Sequence, residues 1–171
     1  MALSKAQAAQ RYRGYGDLAM QKSQRDLTHQ LNIDYKITRW NSSVIDTIEM
    51  TWGEDRVFDW RDIYNSCKSE PTALGLAIWS QEELCAVGVM TLTQGTTWVR
   101  FVERNRNGSN ALKGKVLLIL LDAATNYCQA SGRRLVKLEP LNDRLVEYYV
   151  TSLGFELVDP PKGSRYCVLE V

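Results

Sequence analysis

Leu112-Lys113-Gly114-Lys115 opens the run that decides the fold. Val116-Leu117-Leu118-Ile119-Leu120-Leu121 follows directly, and further on come Leu135-Val136-Lys137-Leu138-Glu139, Asn142 and Leu153-Gly154-Phe155. After the glycine, apolar or small residues recur at Leu117, Leu120, Leu121, Ala124, Cys128 and Ser131. Those steps of three and four predict a long helix, closed by Gly132. Residues 135–139 have the length and composition of a short strand. Asn142 stands where a helix N-cap belongs, and Leu145, Val146, Tyr149, Val150 and Leu153 make one apolar stripe before Gly154. The order is glycine-led helix, strand, Asn-capped helix, Gly-Phe. A helix that begins after a loop presents unpaired backbone N–H groups, which suit a phosphate.

Outward from this run, the upstream chain alternates as strands do. Tyr35-Lys36-Ile37-Thr38-Arg39-Trp40 is one strand, residues 72–79 a second, 84–92 a mostly apolar third and 97–103 a fourth, with turns at residues 80–83 and at Gly95. In the fourth, strict alternation places Trp98, Arg100 and Val102 on one side and Val99, Phe101 and Glu103 on the other. Between the first two strands, Ser43 or Asp46 starts a short helix through Ile48. Asp59 then caps a helix whose apolar face is Trp60, Ile63, Tyr64 and Cys67. Residues 165–171 complete the sheet. The expected fold class is α/β (α+β): a mixed, mostly antiparallel twisted sheet with helices on both faces.

The first 34 residues read as an N-terminal helical extension to a body of residues 35–171. Ser4 caps a helix to about Arg13, Gly14-Tyr15-Gly16 breaks it, and Asp17 caps a second helix to about Leu31. The second helix has a thin apolar side (Leu18, Met20, Leu27, Leu31). It is expected to pack on the body, on a protein partner or on another copy of the chain.

Composition excludes several classes. The balance of 21 Lys+Arg against 20 Asp+Glu gives no general affinity for nucleic acid or for a membrane surface. The apolar run 116–121 is too short to cross a bilayer, and no signal peptide is visible, so a cytoplasmic protein is expected. Cys67, Cys85, Cys128 and Cys167 are widely spaced and read as free thiols of a reducing compartment. His29 is the single histidine, in a polar segment, which argues against histidine-based triads and metal sites. The glycine motifs of nucleotide-triphosphate and dinucleotide sites are absent.

Between Arg100 and Lys115 lie five basic residues (Arg100, Arg104, Arg106, Lys113, Lys115) and one acid, Glu103. A cationic concentration beside a helix N-terminus suits an anionic ligand, although the same charges also read as a solvated loop. With these residues in view, residues 35–171 resemble a GNAT (N-acetyltransferase) superfamily domain, most specifically over 112–155. The resemblance implies a sheet splayed near its middle with acyl-CoA, here acetyl-CoA, in the splay. The family's pyrophosphate loop, Gln/Arg-x-x-Gly-x-Gly/Ala, places its last glycine at Gly114, after Ser109, Asn110, Ala111, Leu112 and Lys113. Only that last position matches, so the loop is degenerate, with Leu112 at the middle glycine.

By the same resemblance, Val102, Arg104, Arg106, Lys113, Gly114, Lys115 and Asn142 are the expected cofactor-binding residues. A backbone N–H between Val99 and Val102 would hold the oxyanion. Tyr149 is the expected acid for the thiolate and Glu103 the expected base. Counting from Asn142 selects Tyr149, whereas counting back from Gly154-Phe155 falls on Val150. Tyr149 also reads as core, with Tyr148 beside it, and Glu103 also reads as a surface partner of Arg104 or Arg106. No metal is expected. The resemblance further implies an acceptor pocket built from loops around 45–59 and 159–164. Two functions follow: an acetyl-CoA-dependent N-acetyltransferase acting on a small amine, a protein amine or an aminoacyl-tRNA, or an inactive GNAT-like domain serving as a structural or interaction module. A near-neutral chain fits tRNA poorly.

Overall fold

The computed structural model describes residues 2–109 and 111–171; Asn110, one of the loop positions preceding Gly114, lies outside the described residues. In chain order the elements are α1 (Lys5–Leu31), β1 (Lys36–Arg39), α2 (Ser42–Thr51), α3 (Trp60–Cys67), β2 (Leu74–Ser80), β3 (Glu83–Thr93), β4 (Thr96–Arg104), α4 (Val116–Ala130), β5 (Leu135–Leu138), α5 (Asp143–Leu153), β6 (Glu156–Val158) and β7 (Tyr166–Glu170). One sheet contains the strands in the order β1-β2-β3-β4-β5-β7-β6. Every pairing is antiparallel except β4 with β5, which α4 connects as a parallel crossover. The expected mixed sheet with helices on both faces is present.

On one face, α1 and α4 cover the sheet around Leu74, Leu76, Met90, Val99 and Val136. On the other, α2 and α3 pack Val44, Ile45, Ile48 and Trp60 against Ala77, Val87 and Val89. Of the α4 stripe read from the sequence, Leu120, Leu121, Ala124 and Cys128 are buried and Leu117 and Ser131 half-buried; Val116, Ile119, Ala123 and Tyr127 are buried as well, because α1 covers a second side of the helix.

The N-terminal segment departs from expectation: α1 is one continuous helix, not two broken at Gly14–Gly16. A capping box between Ser4 and Gln7 starts it and Asn32, in the left-handed conformation, ends it. Gly16 is a contact point rather than a break. A Cβ there would lie 2.8 Å from Arg39 Nη2 and 2.9 Å from Leu74 Cδ1, so glycine lets the helix approach the sheet. Asp17 accepts a hydrogen bond from Arg39 (2.9 Å) instead of capping a helix. Gly16, Ala19, Ser23 and Leu27 are buried along the contact face, where Asn126 of α4 donates to Ser23 Oγ at 2.8 Å. The Gln24 carboxamide accepts from the Ile37 N–H (2.7 Å) and donates to the Tyr35 carbonyl (2.6 Å), tying the helix to β1.

A second departure lies in β4. The pairing with β3 slips between Val89/Met90, which face Phe101 and Val99, so Arg100 is an extra, bulged residue. Before it the alternation is as expected, with Val99 in the α4-side core. After it the parity inverts: Phe101 packs on the α2/α3 side and Val102 on the α4 side. Glu103 therefore points toward Trp60, and Val102 does not share a face with Trp98.

Two smaller differences complete the account. Asn41, not Ser43 or Asp46, caps α2, its side chain accepting from Val44 N–H. The short edge strand β6 follows Gly154-Phe155. Asn142 caps α5 as the sequence indicated. Among the described residues, no helix is long and apolar enough to cross a membrane.

Candidate functional site

A cleft of ≈ 440 Å³ opens where β4 and β5 part. The two strands pair only from Thr96↔Leu135 to Val99↔Leu138. Past Val99, β4 continues to Arg104 with β3 alone beside it, so its outer edge carries backbone N–H and C=O groups without a ladder partner. The cleft has the size of a small-molecule site and a mostly apolar wall, with Val99, Val102 and Phe101 from β4 and Leu138 from β5. Leu145, Tyr148 and Tyr149 of α5 close one side, and Gly114, Val116 and Leu117 at the start of α4 close another.

The α4 terminus is chemically open. Lys115 is its N-cap residue and makes no side-chain cap, and among the described residues the first-turn N–H groups meet no acceptor. Gly114 takes φ +77°, a conformation that favours glycine, and a Cβ there would meet nothing within 4 Å. Leu112, at the position of the missing middle glycine, is buried in the α4-side core. Its side chain therefore does not obstruct approach to the turn.

Of the expected cofactor residues, the structure brings Val102, Arg104 and Gly114 to the cleft. Arg106, Lys113 and Lys115 are exposed and lie outside its lining. Asn142 also lies outside it, its side-chain oxygen accepting the Leu145 N–H at 2.9 Å. Both tyrosines line the cleft, Tyr149 buried and Tyr148 at the rim. Burial pushes the Tyr149 phenol up to about 12, with Cys167 and Tyr148 as lesser neighbours. That phenol keeps its proton throughout the neutral range.

Glu103 is not the surface partner of an arginine. It is buried, and its two oxygens accept from Val57 N–H (2.6 Å), Phe58 N–H (3.3 Å) and the Trp60 indole N–H (2.7 Å). Those bonds fix the segment between α2 and α3, so that Phe58 stacks edge-on against Phe101 at the cleft wall. The sequence reading missed Glu139, an exposed carboxylate just past β5 that borders the cleft. It also missed Phe58 and Leu141. The signal for Glu139 was positional: it is the first residue beyond a strand that ends at the splay. Among the described residues, no group of His, Cys, Asp and Glu is arranged to hold a metal ion.

This sheet, splayed beside a crossover helix, is the GNAT N-acetyltransferase fold. No family model and no curated protein matches the chain. Solved structures do match. The ribosomal-protein-S18-alanine N-acetyltransferase of Escherichia coli superposes with a TM-score of 0.59 at 14% identity, over 80% of this chain and 94% of that one. The PseH N-acetyltransferase of Campylobacter jejuni, in complex with acetyl coenzyme A, gives 0.56 at 16%, over 80% and 99%. The PaiA N-acetyltransferase of Thermoplasma acidophilum, in complex with coenzyme A, gives 0.54 at 12%, over 81% and 100%. At such identities the likeness is one of fold, and the chemistry must be argued from the site.

Proposed function

We propose that the chain is an acetyl-CoA-dependent N-acetyltransferase acting on an amine. One observation carries the reading: the unpaired edge of β4, the uncapped start of α4 and a buried tyrosine border the same cleft. Acetyl-CoA needs each of them. First-turn amides of α4, next to Gly114, hold the diphosphate, where helix-end N–H groups and dipole act together. Arg104 at the cleft supplies a full charge, with Arg106, Lys113 and Lys115 as more distant cations. Backbone N–H groups on the open edge of β4, Val102 among the candidates, donate to the thioester oxygen and to the oxyanion formed there.

The amine nitrogen attacks the thioester carbon, and the C–S bond breaks as the amide forms. Tyr149 donates a proton to the departing sulfur. A thiol ordinarily titrates near 8.5, so full transfer from a phenol at about 12 is uphill; the phenol stabilises the departing thiolate by its hydrogen bond, and any proton it gives up is replaced by the one the amine loses. For the base, Glu139 suits the task better than Glu103. Glu139 is exposed at the cleft, whereas both oxygens of Glu103 are engaged by three donors. Glu103 then serves as the clamp that sets the Phe58 wall.

Calorimetric titration with acetyl-CoA is the first test, with a thermal-shift measurement beside it, because a ligand that binds only the folded chain raises its melting temperature. Absence of binding at millimolar acetyl-CoA ends this reading. Where binding is seen, Tyr149→Phe retains it and slows acetyl transfer by about a hundredfold or more; an unchanged rate passes the acid role to Tyr148.

A further inference from the structure

Beside the C-terminal end of α3, where Arg100 lies near Cys67, the sheet face opposite α4 carries four side chains in alternating cation–aromatic order. Arg100 lies 4.8 Å from the centre of the Trp98 ring, Lys137 lies 5.4 Å from the same ring, and Lys137 lies 4.6 Å from the Tyr166 ring. Register explains the array. Trp98 of β4 is opposite Lys137 of β5, which is opposite Val168 of β7, and Tyr166 projects from the same face two residues away. Arg100, two residues on from Trp98, keeps to this face, and parity changes only after it. Its Nε–H donates to Thr91 Oγ1 at 3.0 Å, which leaves the terminal guanidinium N–H groups free.

Neither cation has an ion-pair partner among the described residues. The acids nearby do not neutralise them. Glu170, one row away, is engaged by Arg134 at 2.9 Å. Asp143 is taken by Arg165, and Glu70, just past α3 and near Cys67 as Arg100 is, accepts from Thr72 Oγ1 at 2.9 Å and makes no ion pair among the described residues. Glu156, on the row of Lys137, is two strands distant, about 10 Å at ordinary strand spacing. Glu139 borders the same cleft as Arg100 but makes no ion pair with it among the described residues. Two positive charges are thus held against aromatic faces without an ion-pair partner among the described residues, which is a preorganised anion-binding surface.

We infer that this face docks an acidic peptide segment, and that Arg100, which also borders the cleft, brings the segment's amine to it. Carboxylates suit the surface because a guanidinium with free terminal N–H groups grips them in pairs. Single-stranded nucleic acid suits it less. The Trp98 ring is already engaged by two cations, so it offers little for base stacking. A net charge of +1 supplies no wider basic field. The acceptor half of this inference rests on the acyltransferase reading; the docking half does not.

The test uses the whole protein and a fluorescently labelled oligoglutamate peptide with a free N-terminal amine, followed by anisotropy. Binding is expected, weakening as salt rises. Lys137→Gln and Arg100→Gln should each lower the affinity about tenfold, the loss of one charge-assisted contact, while Lys137→Arg retains it. Acetyl-CoA binding should be unchanged in Lys137→Gln, which keeps folding and docking separable. No peptide binding, affinity indifferent to both charge removals, or oligothymidylate bound in preference to the peptide would overturn the inference. If the peptide binds with this charge dependence while acetyl-CoA does not bind at all, docking stands and the acyltransferase reading falls. With both bound, transfer of the acetyl group to the oligoglutamate amine in preference to an oligolysine peptide is the expected result, and the reverse preference overturns the acceptor assignment.

Discussion

The two halves of β4 face opposite demands. From Thr96 to Val99 the strand is paired on both sides, and its alternation follows the pattern any buried strand shows. From Arg100 onward it is paired on one side only, and its side chains are shifted by one residue relative to the first half. The first half stabilises the fold, only Val99 at its end reaching the cleft, and the second supplies most of the β4 wall, a clamp and an open backbone edge. A single bulged residue separates a structural strand from a working one.

The sharpest way to break this contrast is to place a charge in each half. Val99→Asp buries an unpaired carboxylate in the α4-side core and should cost about 4 kcal/mol in urea unfolding. The same change at Val102, half-buried at the cleft, should cost less than half of that and act mainly by weakening acetyl-CoA binding. Equal losses of stability at the two positions would erase the distinction. Next in size is Glu103→Ala, which leaves Val57 N–H, Phe58 N–H and the Trp60 indole N–H without their acceptor. A loss of about 3 kcal/mol is expected, with Glu103→Gln keeping part of it. A cost near zero would mean that the carboxylate is not a clamp.

A smaller effect is carried by pH. The folded chain holds the Tyr149 phenol at about 12, above its ordinary value of 10.0, and burial raises Tyr127 as well. The unfolded chain therefore releases these protons first as pH rises. The stability concerned is complete below pH 10 and is lost as the pH approaches 12. Tyr149 accounts for about 3 kcal/mol of it, so in Tyr149→Phe the alkaline decline measured by urea unfolding should be shallower by that amount. The smallest expected change is Gly114→Ala. There is room for the methyl group, so only the positive φ is penalised, by about 1 kcal/mol. A larger loss would show that the turn before α4 is under steric constraint.

Much of the fold was legible because it rests on local rules. The α4 stripe, the Asn142 cap, the Gly-Phe ending and the meander of β2, β3 and β4 all follow from spacing and turn chemistry. The bulge was not legible, since Arg100 carries no glycine or proline to mark it, and its effect is to reverse every side chain after it. The N-terminal helix misled for a related reason. Two glycines around Tyr15 read as a break, yet Gly16 is required by a contact with Arg39 and Leu74 that only tertiary structure supplies. At the site, Gly114 and both tyrosines came from the family pattern. Glu139 and Phe58 did not, because they reach the cleft through the splay and through the Glu103 clamp, and neither is a property of neighbouring residues. Leu112 looked like an obstruction in a linear motif and in space belongs to the core.

The carboxamide of Gln24 has a consequence for how copies of this protein meet. By accepting from the Ile37 N–H and donating to the Tyr35 carbonyl, it stands in for the peptide group of a neighbouring strand along β1. That border of the sheet is thereby closed by a side chain, without an eighth strand, and offers no template there for edge-to-edge aggregation.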